Sequence, residues 1–238
     1  MSTINCKLLS ELLCGSGVTP LCYDVIGSTN AELIRRAKEG AAMYTLIAAS
    51  EQTSGYGTRG RAFYSPSAGL YFSLLVPKPE RVAELTPISA VSAASAIDTC
   101  FGTNCGIKWA NDLILGGKKV GGILTEAFDG FAVTGIGLNL LRCEFPGLPG
   151  AGYITESCGE GVRERLVANI VKRFLAGNAN TALAEYRERS VLTGRYVAVN
   201  CGGVRFEGSV LGIDEDFRLM VRGSDGTVTA VSSAELRV

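Results

Sequence analysis

The alternation of hydrophobic and polar positions divides the chain into elements. From Gly27 the pattern is definite: Thr29-Asn30-Ala31-Glu32 reads as a capping box, Leu33, Ile34 and Ala37 share one helical face, and Gly40 supplies a stop. A helix over 29–39 follows. Residues 44–49 and 70–76 are apolar runs of buried-strand length, and Leu85–Phe101 repeats Ile88, Val91 and Ile97 in rough helical phase. Segments 107–110, 113–115, 119–127 and 131–140 read as strands, joined at Gly116-Gly117 and Asp129-Gly130 by tight hairpin turns. Val162–Ala176 and 181–189 carry helical spacing. Residues 1–21 show no strong period and read as a lead-in.

After Thr193 the period shortens to segments 196–199, 204–212, 219–222 and 228–231, punctuated by Gly202-Gly203, 214–216 and Asp225-Gly226. Short strands at this spacing predict a small antiparallel barrel. The chain is therefore expected to be α+β, with a catalytic unit over 1–190 and a β unit over 191–238.

Composition narrows the chemistry. The 238 residues include 30 glycines, 8 cysteines, one tryptophan and no histidine, with 23 basic and 23 acidic side chains. Without histidine, Ser-His-Asp and Cys-His nucleophiles and mixed His/Cys zinc sites are excluded. No two cysteines form Cys-x-x-Cys, so they read as buried thiols. Zero net charge and the lack of a basic run argue against a protein that grips DNA or another polyanion. No apolar stretch has bilayer-spanning length, and no secretory signal opens the chain, which points to the cytoplasm.

Three stretches carry candidate chemistry. Glu51 to Phe63 holds Gly55, Gly57 and Gly60 with Arg59 and Arg61, a backbone open to anions beside two planar donors. Alone it is equally a solvated hairpin loop. Neither the P-loop nor the dinucleotide fingerprint fits, because the glycines lead into a strand. Lys108-Trp109-Ala110-Asn111-Asp112 faces Lys118 to Glu126 across a hairpin, so Asn111, Asp112 and Lys119 can meet one ligand; by itself this is also an ordinary amphipathic hairpin. Gly135-Ile136-Gly137-Leu138-Asn139 is a strand with room beside it for a ligand, or a strand with a bulge.

In this order, with Gly27-Ser28-Thr29-Asn30 ahead of them and Gly208 to Asp214 behind, these stretches resemble the biotin protein ligases over about residues 22–238. The resemblance implies a class II synthetase-like mixed α/β catalytic domain with a C-terminal SH3-like β-barrel. The implied reaction joins ATP and biotin, with Mg²⁺, into biotinyl-5′-AMP and pyrophosphate, then passes biotin to a lysine of a biotin carboxyl carrier domain. Lys119, Arg61, Lys108 and Asp112 are then the expected catalytic residues. Ser28, Thr29, Asn30, Gln52, Gly55, Tyr56, Gly57, Thr58, Lys119, Gly122, Leu124 and Gly135 are expected around biotin, and Arg59, Arg61, Phe63, Asn111 and Asn139 around the adenylate.

The chain also departs from the family pattern. Tyr56 and Thr58 stand where the family loop carries arginine, Phe63 stands for tryptophan and Ala110 for proline. Only 27 residues precede Ser28, too few for the helix-turn-helix of the family's repressors, so a monofunctional ligase is expected; such members are often homodimers. A lipoate or octanoate ligase of related fold, and a non-catalytic binding module, are the alternatives.

Overall fold

In a computed structural model, residues 3–237 are described; Met1, Ser2 and Val238, which the expected domain limits include, lie outside them. The helices are α1 (Cys6–Leu12), α2 (Thr29–Lys38), α3 (Leu85–Phe101), α4 (Val162–Ala176) and α5 (Ala179–Arg189). The strands are β1 (Thr19–Ile26), β2 (Thr45–Gln52), β3 (Leu70–Pro77), β4 (Gly106–Lys108), β5 (Asp112–Leu115), β6 (Lys118–Ala127), β7 (Phe131–Leu138), β8 (Tyr196–Cys201), β9 (Val204–Ile213), β10 (Leu219–Gly223), β11 (Val228–Val231) and β12 (Glu235–Arg237). A seven-stranded sheet runs β1-β2-β3-β7-β6-β5-β4, parallel only between β1 and β2.

Both faces of this sheet are covered, which is why β3 reads as an apolar run broken only at Ser73. Leu70, Phe72, Leu74 and Val76 join the large core with α3 and α4, whereas Leu75 turns to the opposite face with Leu33 of α2, Ile47, Phe131 and Val133. Ser73 points to that second face too. It is fully buried, the one polar residue among β3's apolar positions.

Cross-strand register lays residues in rows. One row runs Lys108, Asp112, Gly122, Gly137, Tyr71; the next runs Leu124, Gly135, Ser73, Ile47. Between β5 and β6 the register slips, Leu113 pairing with Gly121 but Ile114 with Lys119. The extra residue, Val120, is a β-bulge that shifts the strand's phase. Strict alternation would put Lys119 and Gly122 on opposite faces; the bulge puts them on one.

The second sheet runs β11-β10-β9-β8-β12, all antiparallel. Among the described residues no ladder joins β11 to β12, so the expected barrel is a five-stranded antiparallel sheet. It shares the large core. The Trp109 indole donates to the Phe217 carbonyl at 2.8 Å, the Tyr186 ring meets Phe217 edge-on at 5.8 Å, and the Tyr186 hydroxyl donates to the Ala110 carbonyl at 2.9 Å.

Two expectations change. The lead-in contains α1, capped by the Asn5 side chain on the Leu8 amide, and the start of an edge strand, β1; Leu9 and Leu13 bury their side chains in the main core. Its weak periodicity reflects a helix of only 7 residues. The N-cap of α2 is Ser28, whose hydroxyl oxygen accepts from the Ala31 amide, and Glu32 turns outward to Arg35 and Arg36. The capping box is therefore not formed, because Thr29 is drawn into the cleft described below.

If α1 belongs to the cooperative unit, Leu9→Ala should lower unfolding stability by about 2–5 kcal/mol, as for other fully buried leucines. A urea midpoint equal to wild type would show α1 to be peripheral. Glu32 gives a pH test. The Arg35 hydrogen bond, joined by Arg36 and opposed by partial burial, lowers its carboxyl from 4.5 to about 2. A depressed folded-state value adds stability above the unfolded value that disappears as pH falls through the folded one. Glu32→Gln should thus flatten the acid loss of stability between about pH 4.5 and 2, measured by thermal unfolding across that range.

Candidate active site

A cleft of about 560 Å³ lies on the α2 side of the large sheet, walled by the start of α2, the loop 56–63, the two rows of β4 to β7, and residues 232–237 of the second sheet. Glycines make the room. A Cβ at Gly135 would stand 2.0 Å from the Asn30 amide oxygen, and one at Gly137 would stand 2.7 Å from the Phe63 ring. Both side chains rest on bare backbone, which only glycine leaves open.

One end is polar and lined by uncharged side chains, with the Glu126 carboxylate behind them. The Thr29 amide and hydroxyl both donate to Gln52 Oε1, at 2.9 and 3.1 Å, and Gln52 Nε2 donates to Ser65 Oγ at 3.1 Å. The Ser73 hydroxyl lies 2.8 Å from Thr29 Oγ1 and 2.6 Å from Asn30 Oδ1. Asn30 Nδ2 donates to Glu126 Oε2 at 2.8 Å and to the Leu124 carbonyl at 3.3 Å. Buried polar groups linked in this way cost little to keep and hold one arrangement. Ser73 and Glu126 were not expected. A lone serine in an apolar strand is the signal for the first, and a carboxylate ending the Lys-Val-Gly-Gly-Ile-Leu strand is the signal for the second.

The other end is charged. Lys119 Nζ sits 2.5 Å from Asp112 Oδ1 and 5.9 Å from the Phe63 ring centre, and the bulge at Val120 is what aims it here. Arg59 pairs with Glu235 Oε1 of β12 at 2.9 Å, and Arg61 meets the same oxygen. Arg59 holds φ +61, a left-handed conformation that disfavours non-glycine residues. Tyr56 donates its hydroxyl to Glu126 Oε2 at 2.8 Å; burial and then this acceptor push its ionisation upward. The loop expected to find oxygens in a ligand thus already has them, one carboxylate at each end.

Most expected residues meet in this cleft: Ser28, Thr29, Asn30, Gln52, Tyr56, Gly57, Thr58, Arg59, Arg61, Phe63, Lys108, Asn111, Asp112, Lys119, Gly122, Leu124 and Gly135 all line it. Asn111 does so while its Nδ2 donates to the Ile123 carbonyl at 2.8 Å. Two stand back. Gly55 lies behind the wall, where a Cβ would meet Ser65 Oγ at 2.5 Å. Asn139 is buried, its Nδ2 spent on the Gly152 carbonyl at 2.9 Å and the Lys119 carbonyl at 3.4 Å. Residues 232–237 were assigned to a separate unit, and nothing in their sequence spacing marks them as a wall of the cleft.

Residues 23–140 match the model of the biotin/lipoate A/B protein ligase family. The biotin--[acetyl-CoA-carboxylase] ligase of Mycobacterium tuberculosis is 31% identical, over 97% of this chain and 95% of that protein. The chain belongs to the biotin protein ligase family. The bifunctional ligase/repressor BirA of Bacillus subtilis is 25% identical over 100% of this chain and 78% of its own length. A biotin protein ligase from Aquifex aeolicus, solved with biotin and ATP, shares the fold with a TM-score of 0.77 at 24% identity, covering 92% of this chain and 98% of that one. Against the biotin protein ligase loop pattern, Tyr56 replaces an arginine with a neutral donor that fits Glu126, and Phe63 fits the space over Gly137.

Gly135→Ala should cost about 1–3 kcal/mol of stability by driving a methyl into the Asn30 amide. The double variant Gly135→Ala/Asn30→Ala should recover part of that loss in denaturation midpoints, and purely additive losses would contradict the contact.

Proposed function

We propose that this ligase activates biotin with ATP to biotinyl-5′-AMP and transfers the biotinyl group to a lysine of a biotin carboxyl carrier domain. The observation that carries the reading is a neutral hydrogen-bonding pocket joined to a cationic one over a glycine-lined floor. A ureido ring has one carbonyl flanked by two N–H groups and no charge. The Ser28 hydroxyl hydrogen and the second hydrogen of Gln52 Nε2 are suited to that carbonyl, since Ser28 accepts from Ala31 and Gln52 spends one hydrogen on Ser65. A lipoyl dithiolane has neither group and would leave this end unpaired, which favours biotin over the related ligases.

The biotin carboxylate then extends toward Lys119. One carboxylate oxygen attacks the α-phosphorus of ATP, the bond to the β-phosphate oxygen breaks, and pyrophosphate leaves. Lys119 places a cation where the two negative groups meet, and Asp112 at 2.5 Å holds its ammonium in that position. Arg59 and Arg61 offer guanidinium groups to the phosphates, and the Phe63 face is available to the adenine ring. Asn111 and Lys108 frame the same end. In the second half-reaction the acceptor amine attacks the acyl carbon and AMP leaves. Mg²⁺ would be held by the phosphates of ATP and by water, which satisfy its oxygen preference, and would supply countercharge to those phosphates.

The reading places 191–238 as a β unit that closes the nucleotide end, and assigns the enzyme to a reducing cytoplasm, in keeping with eight free cysteines; contrary to the expected buried thiols, only Cys105 is buried, Cys14 is exposed and the other six are half-buried. No helix among the described residues is long and apolar enough to cross a membrane. A homodimer, which the family resemblance implies, belongs to the same proposal.

Biotin-dependent exchange of labelled pyrophosphate into ATP tests substrate and chemistry together. Lys119→Ala should lower that exchange about a hundredfold, the effect of removing roughly 3 kcal/mol of charge stabilisation, with an unchanged unfolding midpoint. Exchange near the wild-type rate would refute the assignment.

A further inference from the structure

We infer that Glu126 is a positioning residue that sets the ligand specificity of the neutral pocket by fixing which way the Asn30 amide faces; the inference rests on the biotin reading above. An asparagine side chain presents an acceptor on one side and two donors on the other, and its neighbours decide the orientation. Here the decision is unambiguous. Nδ2 faces two groups that only accept, the Glu126 carboxylate at 2.8 Å and the Leu124 carbonyl at 3.3 Å, while Oδ1 faces the Ser73 hydroxyl at 2.6 Å. The reversed amide would aim its oxygen at a carboxylate and a carbonyl, repelled by both.

Two consequences follow for a ligand. Both Nδ2 hydrogens are consumed, so Asn30 has nothing to donate. Its Oδ1 lies directly over Gly135, a wall of the cleft, and keeps a second lone pair after Ser73. The atom that reaches this point must therefore carry a hydrogen. An N–H satisfies it, and an oxygen in the same ring position meets an oxygen and is rejected. The same Glu126 oxygen takes the Tyr56 hydroxyl, so the carboxylate that orients Asn30 also ties the loop over it.

Glu126→Gln keeps the shape and allows a donor at this position, so Asn30 can turn and present Nδ2 to the ligand. The test compares biotin with its two cyclic carbamate analogues, in which one or the other ring N–H is replaced by oxygen, by calorimetric Kd on the whole protein. Wild type should bind one carbamate at least a hundredfold more weakly than biotin, the order of penalty seen when a polar site loses its partner. In Glu126→Gln that ratio should fall about tenfold or more. Glu126→Met, similar in volume and without polar atoms, should relax it too and serves if the glutamine variant folds poorly. Ser73→Ala should keep the wild-type ratio, because it leaves both acceptors facing Nδ2; its relaxing discrimination equally would mean general loosening and overturn the role of Glu126. Unchanged ratios in both Glu126 variants overturn it as well. A wild type that binds no biotin sinks the underlying reading, whereas biotin binding with no discrimination against either carbamate sinks this inference alone.

Discussion

The hydrogen-bond register between β6 and β7 governs the cleft. It sets Gly122 against Gly137 and Leu124 against Gly135, so that two neighbouring rows of the sheet lack side chains where α2 and the loop must come down onto backbone. A slip of one residue would turn every one of these positions to the opposite face. Asp112 sits on the same row opposite Gly122, with Lys108 one strand further out, so these charges of the site are placed by strand geometry while Arg59 and Arg61 come from the loop.

The loop from Tyr56 to Phe63 is held in a different way. It packs few apolar groups and instead meets a carboxylate at each end, Glu126 from the large sheet and Glu235 from the second. Half-exposed ion pairs of the Arg59–Glu235 kind contribute little to stability. Their effect is local: one carboxylate oxygen shared by two guanidinium groups leaves excess positive charge at the mouth of the cleft, suited to an arriving anion.

Much of this was legible in the chain. The helix Leu85–Phe101 and the hairpin at Gly116-Gly117 follow from periodicity and turn residues, and most residues expected at the site from the motifs that carry the family resemblance line the cleft. What escaped depends on partners distant in sequence. Ser28 replaces Thr29 as N-cap because Gln52, 23 residues away, captures Thr29. Asn139 reads as a ligand contact but turns to the carbonyls of Lys119 and Gly152, and residues 232–237 enter the site with the second sheet, which docks through Phe217 beside Trp109 and Glu235 beside Arg59. Lys119 was expected at the site and lines it, but the unpaired residue that aims it there, Val120, has no signal in the sequence.

That bulge bears on how the hairpin tolerates insertion and deletion. The turn at Gly116-Gly117 faces solvent, and extra residues there would lengthen a loop and leave both strands in phase. Loss of one residue between 119 and 121 would straighten β6 and carry the lysine from the cleft to the apolar face, with every amino-acid type still present. The chemistry of this strand is stored in a count of residues as much as in their identity.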